Sequence, residues 1–96
     1  MTELTIIANI HAKADQIEMV RGALLRLVPP TQAETGCINY DLHQDDEDPA
    51  HFIMYEKWQD RASWQAHVET AHFAAFKTAI DGALAQFTSS RMTRIS

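Results

Sequence analysis

The chain has little cysteine, glycine or proline: one Cys, three Gly and three Pro in 96 residues. A lone Cys37 cannot close an internal disulfide, which fits a reducing compartment. No Gly-rich phosphate loop, CxxC or HExxH pattern occurs, so the familiar nucleotide and zinc devices are missing. Basic residues are also scarce. Eight Lys and Arg stand against 13 acids, for a formal net charge of −5. Nucleic-acid phosphates demand clustered cations, so no nucleic-acid partner is expected. No uncharged apolar run approaches the roughly 20 residues of a membrane span, and no basic-then-apolar leader opens the chain. A cytoplasmic protein without membrane attachment is the expectation. The length suits one domain, residues 1–96, around one core.

What is present is a sequence of changing periods. Residues 3–12 alternate and are rich in Ile and Thr, which predicts a strand. Ile6, Ala8 and Ile10 share one face; Thr5, Ile7, Asn9 and His11 share the other. Over 14–28 the apolar residues Ile17, Val20, Leu24, Leu27 and Val28 recur at helical spacing. Pro29-Pro30 is expected to end or kink that helix, because proline lacks the donor and clashes with the preceding turn. Residues 37–44 alternate again, with Ile38, Tyr40 and Leu42 on one face. Five acids within the eight positions 41–48 (Asp41, Asp45, Asp46, Glu47, Asp48) then predict a solvated hairpin loop. Residues 51–58 form a third strand, placing Phe52, Met54, Glu56 and Trp58 together. Asp60 is positioned to cap a short helix over 61–69 and Thr70 to cap a longer one over 71–87, with Phe73, Phe76, Ile80, Leu84 and Phe87 as its stripe. The last residues suit a terminal strand.

The order βαββαβ, with the second helix broken, is the split-βαβ, ferredoxin-like α+β arrangement with an antiparallel sheet. Two helical layers cover one sheet face. Strands 1 and 3 carry apolar residues on both faces, and 96 residues hold nothing more to cover the second. A second copy packed sheet to sheet is the economical cover, so a homodimer is expected.

Several residues are candidates for chemistry. His67 and His72 bracket the helix break, a place where pockets form, and imidazole titrates near neutrality. Their i, i+5 spacing is not the i, i+4 spacing of a helical metal clamp, and no metal is expected. Each also has a plain reading, as a cap or a bond to a backbone carbonyl. Trp58 and Trp64 suit either an aromatic pocket or ordinary packing. Tyr40 and Tyr55 offer phenol donors. Asn9 is an unusual strand residue that could orient a small polar substrate. Glu56, among apolar neighbours, needs a partner if buried, and Arg91 or Arg94 would supply a structural ion pair. Cys37 has no neighbouring cation to activate it.

The elements E-x-G-C-x-x-Y, E-x-W and H-x-x-T-x-H-F are met by Glu34, Gly36, Cys37, Tyr40, Glu56, Trp58, His67, Thr70, His72 and Phe73. Across about 34–76 the chain resembles the antibiotic biosynthesis monooxygenase family, especially its short quinol-monooxygenase-like members. The resemblance implies a dimeric α+β barrel with a pocket in each subunit. It also implies oxidation of a small aromatic phenol or quinol by dioxygen, with no cofactor and no metal. An electron-rich phenolate can itself reduce oxygen, so such a protein has only to desolvate, orient and deprotonate it. By the match His67 is the candidate catalytic base. Asn9, Tyr40, Trp64, His72 and Phe73 are candidate substrate-binding residues. Haem-degrading relatives place a histidine where Lys77 falls here and a tryptophan where His67 falls, so only Asn9 agrees and haem chemistry is not expected. An isomerase of a phosphorylated autoinducer-2 dione shares the histidine stretch but needs cations, and only Lys77, Arg91 and Arg94 are placed to help. A non-catalytic small-molecule-binding dimer is the alternative of a different class.

Overall fold

The structure is a computed structural model in which residues 3–96 are described; the first two residues of the expected 1–96 domain lie outside them. The elements are β1 (Leu4–Ala12), α1 (Ile17–Gln32), β2 (Cys37–Gln44), β3 (His51–Trp58), α2 (Arg61–His67), α3 (Ala71–Ala79) and β4 (Leu84–Met92). The four strands form one antiparallel sheet in the order β2-β3-β1-β4. This is the ferredoxin-like topology that the alternation of periods predicts. Strict alternation decides which side of each central strand is covered. Leu4, Ile6, Ala8, Ile10 and Ala12 of β1 and Phe52, Met54, Glu56 and Trp58 of β3 are buried, and the residues between them are half-buried. Val20, Ala23, Leu24 and Leu27 of α1 pack onto that face.

Three details depart from the sequence reading. The helix α1 continues through Pro29 and Pro30 to Gln32. A proline cannot donate, but its carbonyl still accepts, and Ala33 donates to Pro29 at 3.2 Å. The Thr31 hydroxyl donates to the Leu27 carbonyl at 2.8 Å, which satisfies an acceptor in the final turn. Next, α3 stops at Ala79, so Leu84 and Phe87 belong to β4 and not to a helical stripe. Gly82 takes a φ of +78°, in the left-handed region that glycine enters without strain, and turns the chain into the strand. Finally, Cys37 pairs with Trp58 and Asn39 with Lys57, so the register shifts between them and leaves Ile38 as an extra, exposed residue. Cys37, and not Ile38, therefore packs against the core.

Both expected caps are made. The Asp60 carboxylate accepts from the Ser63 amide at 2.8 Å, and the Thr70 hydroxyl accepts from the Phe73 amide at 3.2 Å. They start the two short helices, one on each side of the break at 68–70. Gly36, immediately before β2, lies against Ser63 of α2. A Cβ added there would overlap the Ser63 side chain, so this glycine is required by the close approach. No helix of the described residues is long and apolar enough to cross a membrane.

Candidate active site

A cavity of about 260 Å³ lies between the covered sheet face and the helices. Ile6, Ala8, Ile10 and Met54 form its floor. Leu24, Leu27, Trp64, Phe73 and Phe76 close it from the helical side. The polar groups on its wall are Tyr40, Glu56, His67, Ser89 and Arg91. An apolar cavity of roughly 150 Å³ accommodates benzene, so this volume suits a ligand of one or two rings.

His67 is the most completely enclosed of the polar groups, with 2% of its surface exposed. It ends α2, so the Asp60 cap at the other end of that short helix also fixes where its ring falls. The imidazole lies among Trp58 and Phe73, each with ring centroids 4.9 Å away, and Tyr40 at 5.4 Å. Its Nδ1 is 2.8 Å from Glu34 Oε2. A carboxylate only accepts, so Nδ1 carries the proton and Nε2 keeps its lone pair. Burial pushes the His67 pKa below its ordinary value, against the opposing pull of Glu34. The ring is thus neutral at pH 7, in a defined tautomer, on the wall of the cavity.

Glu34 follows the end of α1, and the chain extended by the two prolines delivers it to this point. The same Oε2 also accepts from His72 Nε2 at 2.7 Å. His72 stands on the first turn of α3 and lines a shallower groove with Ala75, Phe76 and Ala79, outside the main cavity. Glu34 has no lysine or arginine partner among the described residues; its ion-pair contacts are the two imidazoles.

Glu56 is the group whose role the sequence reading underrated. It is 6% exposed, and its Oε1 accepts from the Trp58 indole at 3.0 Å. Neither arginine pairs with it. Burial pushes its pKa up to about 7; Glu34 adds to the rise and the indole opposes it. A carboxyl balanced at neutrality on a cavity wall is suited to proton transfer. The signal was visible in the sequence: a strand-centre acid flanked on its own face by Met54 and Trp58. Arg91, by contrast, reaches the cavity from β4 and lies over the Trp64 ring at 5.7 Å. Ile6 of β1 stands in register between Glu56 and Arg91, which separates the carboxyl and the guanidinium by two strand spacings.

Of the residues expected to meet substrate, Tyr40, Trp64, His67 and Phe73 come together around the cavity. Burial raises the Tyr40 pKa, so its phenol remains protonated and able to donate. Asn9 does not join them. Strand alternation puts it on the opposite sheet face, where its Oδ1 is 2.9 Å from His51 Nε2. Cys37 is pushed up to about 11 by burial and by surrounding carboxylates, the reverse of an activated thiol.

The fold and the site define a small α+β domain with an aromatic, ligand-sized chamber between sheet and helices. Residues 4–79 match the profile of the family Antibiotic biosynthesis monooxygenase, and the chain belongs to that family. It is similar to "Putative monooxygenase YcnE" of Bacillus subtilis, with 38% identity over 69 residues, which cover 72% of this chain and 73% of YcnE. With "Probable quinol monooxygenase YgiN" of Escherichia coli it shares 29% over 89 residues, covering 82% of this chain and 86% of YgiN. The crystal structure of PA3566 from Pseudomonas aeruginosa superposes with a TM-score of 0.95 at 38% identity, covering 100% of this chain and 97% of that one. The chain spans half the length of another relative, the uncharacterized Synechocystis protein sll1783.

Proposed function

We propose that the chain is a cytoplasmic monooxygenase that oxidises a small aromatic phenol or quinol with dioxygen and needs no bound cofactor for it. The observation that carries this reading is the buried His67 ring, held by Glu34 as a neutral base on the wall of an apolar cavity. Deprotonating a quinol hydroxyl makes an electron-rich phenolate, which can transfer an electron to oxygen directly. For a hydroquinone the balanced outcome is a hydroxyquinone and water. One oxygen atom enters the ring, the other leaves as water, and the substrate supplies every electron.

The site residues divide the work. His67 Nε2 takes the hydroxyl proton. Glu56, balanced near pH 7, accepts or returns a second proton from the sheet side of the cavity. Trp64, Phe73 and Phe76 exclude water and hold the ring. The Tyr40 phenol, which stays protonated, donates to a developing oxyanion. The monooxygenase names of YcnE and YgiN support the reaction class.

The working unit in this reading is a homodimer. Ile7, Ile53 and Tyr55 lie on the sheet face away from the helices and are half-buried within one subunit, and Met92 of β4, paired with Thr5 on that face, is about half exposed. A second copy would cover them.

The test is oxygen uptake and product analysis with a panel of one- and two-ring hydroquinones, comparing the wild type with His67→Ala. Loss of about a hundredfold or more in turnover is expected for the variant. Equal rates would remove His67 from the chemistry. Saturable binding without oxygen uptake would make the domain a binding module instead.

A further inference from the structure

We infer that Glu34, His67 and His72 form a binding site for a first-row divalent transition ion such as zinc. Three ligand atoms, Glu34 Oε2, His67 Nδ1 and His72 Nε2, all lie within 4.8 Å of one another. The two nitrogens approach the same oxygen at 2.8 and 2.7 Å. Donor atoms around one tetrahedral ion at roughly 2.0–2.2 Å stand about 3.5 Å apart, so the two nitrogens have to close by on the order of 1 Å while each backs away from the shared oxygen by somewhat less, within reach of side-chain rotation.

The donor set selects the ion. Two imidazoles and one carboxylate favour zinc, iron(II), nickel or copper over magnesium and calcium, which prefer oxygen alone. Three protein ligands leave at least one position for water, as in sites that exchange a ligand and unlike closed structural sites. The i, i+5 spacing of the two histidines conceals the cluster in the sequence. They are not on one helix: His67 ends α2 and His72 lies in the first turn of α3. The third ligand comes from 33 residues earlier.

Charge supplies a second, independent argument. The Glu34 side chain is 14% exposed, and no lysine or arginine among the described residues pairs with it. The Glu34 carboxylate therefore has only the two imidazoles beside it to balance its charge, and a divalent cation compensates it directly. Access is open, because the His72 side chain is 27% exposed beside its groove. The site uses Nδ1 of the proposed base, so an ion bound there displaces the Nδ1 proton and leaves the ring N–H on Nε2. The metal-bound ring and the metal-free, base-competent ring are therefore alternative states, and the site rests on the triad's geometry and not on the oxidation proposed above.

Chelator-treated protein is titrated with Zn²⁺ by calorimetry, and with Co²⁺ while the visible ligand-field bands and tryptophan emission are recorded. The site predicts one ion per chain. It also predicts Co²⁺ quenching of Trp58, whose ring centroid is 4.9 Å from that of His67. His72→Gln and Glu34→Gln are each expected to weaken binding by at least about tenfold with the far-UV spectrum preserved, and His51→Gln is expected to leave it unchanged. If one of the two ligand variants fails to fold, the other carries the test. Absence of zinc binding by the wild type overturns the inference, as does binding that persists in a folded His72→Gln or Glu34→Gln protein. Loss in His51→Gln would place the ion in the outer cluster of His51 and Asp45 and would equally overturn it. Calorimetry gives its answer whether or not the chain oxidises a quinol.

Discussion

Replacing Glu56 with glutamine separates what this residue does for the fold from what it does in the cavity. Its carboxyl is raised from an ordinary 4.5 to about 7, mainly by burial. In the unfolded chain the group releases its proton near 4.5, while in the folded chain it holds the proton up to about 7. The folded state therefore binds more protons between those values, and stability falls as pH rises through that window. The shift corresponds to about 3 kcal/mol, absent below pH 4.5 and fully developed above 7. Glutamine has nearly the same shape, still accepts from the Trp58 indole and cannot ionise. Above pH 7 Glu56→Gln should thus be more stable than the wild type by up to about 3 kcal/mol, and the two should converge near pH 4.5. In a domain of this size that is a gain in Tm on the order of 10 °C. Urea unfolding of both proteins at pH 5 and pH 8 measures it, and taking the difference between them cancels the other titrating groups to first order. Oxygen uptake by the variant should fall at the same time, because a stabilised site has lost a proton acceptor. A variant that is less stable than the wild type at pH 8, or a gap that does not grow with pH, would refute the burial argument.

Other consequences are smaller. Gly36→Ala should destabilise the fold by about 1–3 kcal/mol through the clash with Ser63, and adding Ser63→Gly should recover much of the loss; thermal melts of the single and double variants decide it. Removing the α2 cap with Asp60→Ala should lower stability by about 1 kcal/mol. It should also reduce quinol turnover, because α2 carries His67, and paired denaturation and oxygen-uptake measurements would show whether the two losses travel together. Trp58→Phe removes the one indole donor to Glu56 and should raise the carboxyl pKa further, read by carboxyl carbon chemical shifts across pH.

Much of the fold could be read from period alone, since burial on β1 and β3 follows the two-residue alternation without a break. The element boundaries were harder. Pro29 and Pro30 look like a stop, because each withholds an amide donor from a carbonyl one turn back, yet the helical path holds to Gln32, where Ala33 donates to the Pro29 carbonyl and the Thr31 hydroxyl to that of Leu27. The Asp81-Gly82 pair was the overlooked stop for α3, because the apolar stripe over 73–87 fits helix and strand about equally well at its far end. The site was legible in type but not in assembly. His67, Tyr40, Trp64 and Phe73 converge as the motif suggests. Asn9 was excluded by the same alternation that located β1. Glu34 could not be assigned a partner, because its contacts with the two histidines are made across tertiary structure and leave no spacing in the sequence.

The proposed chemistry depends on His67 being a neutral imidazole that keeps its proton on Nδ1 through the bond to Glu34. Nitrogen-15 NMR of histidine-labelled, metal-free protein reads this directly across pH. The predicted result is a protonated Nδ1 and a bare Nε2 persisting below pH 6.5, with that tautomer preference weakened in Glu34→Gln. A ring that becomes doubly protonated above pH 6.5, or that carries its proton on Nε2, would contradict it.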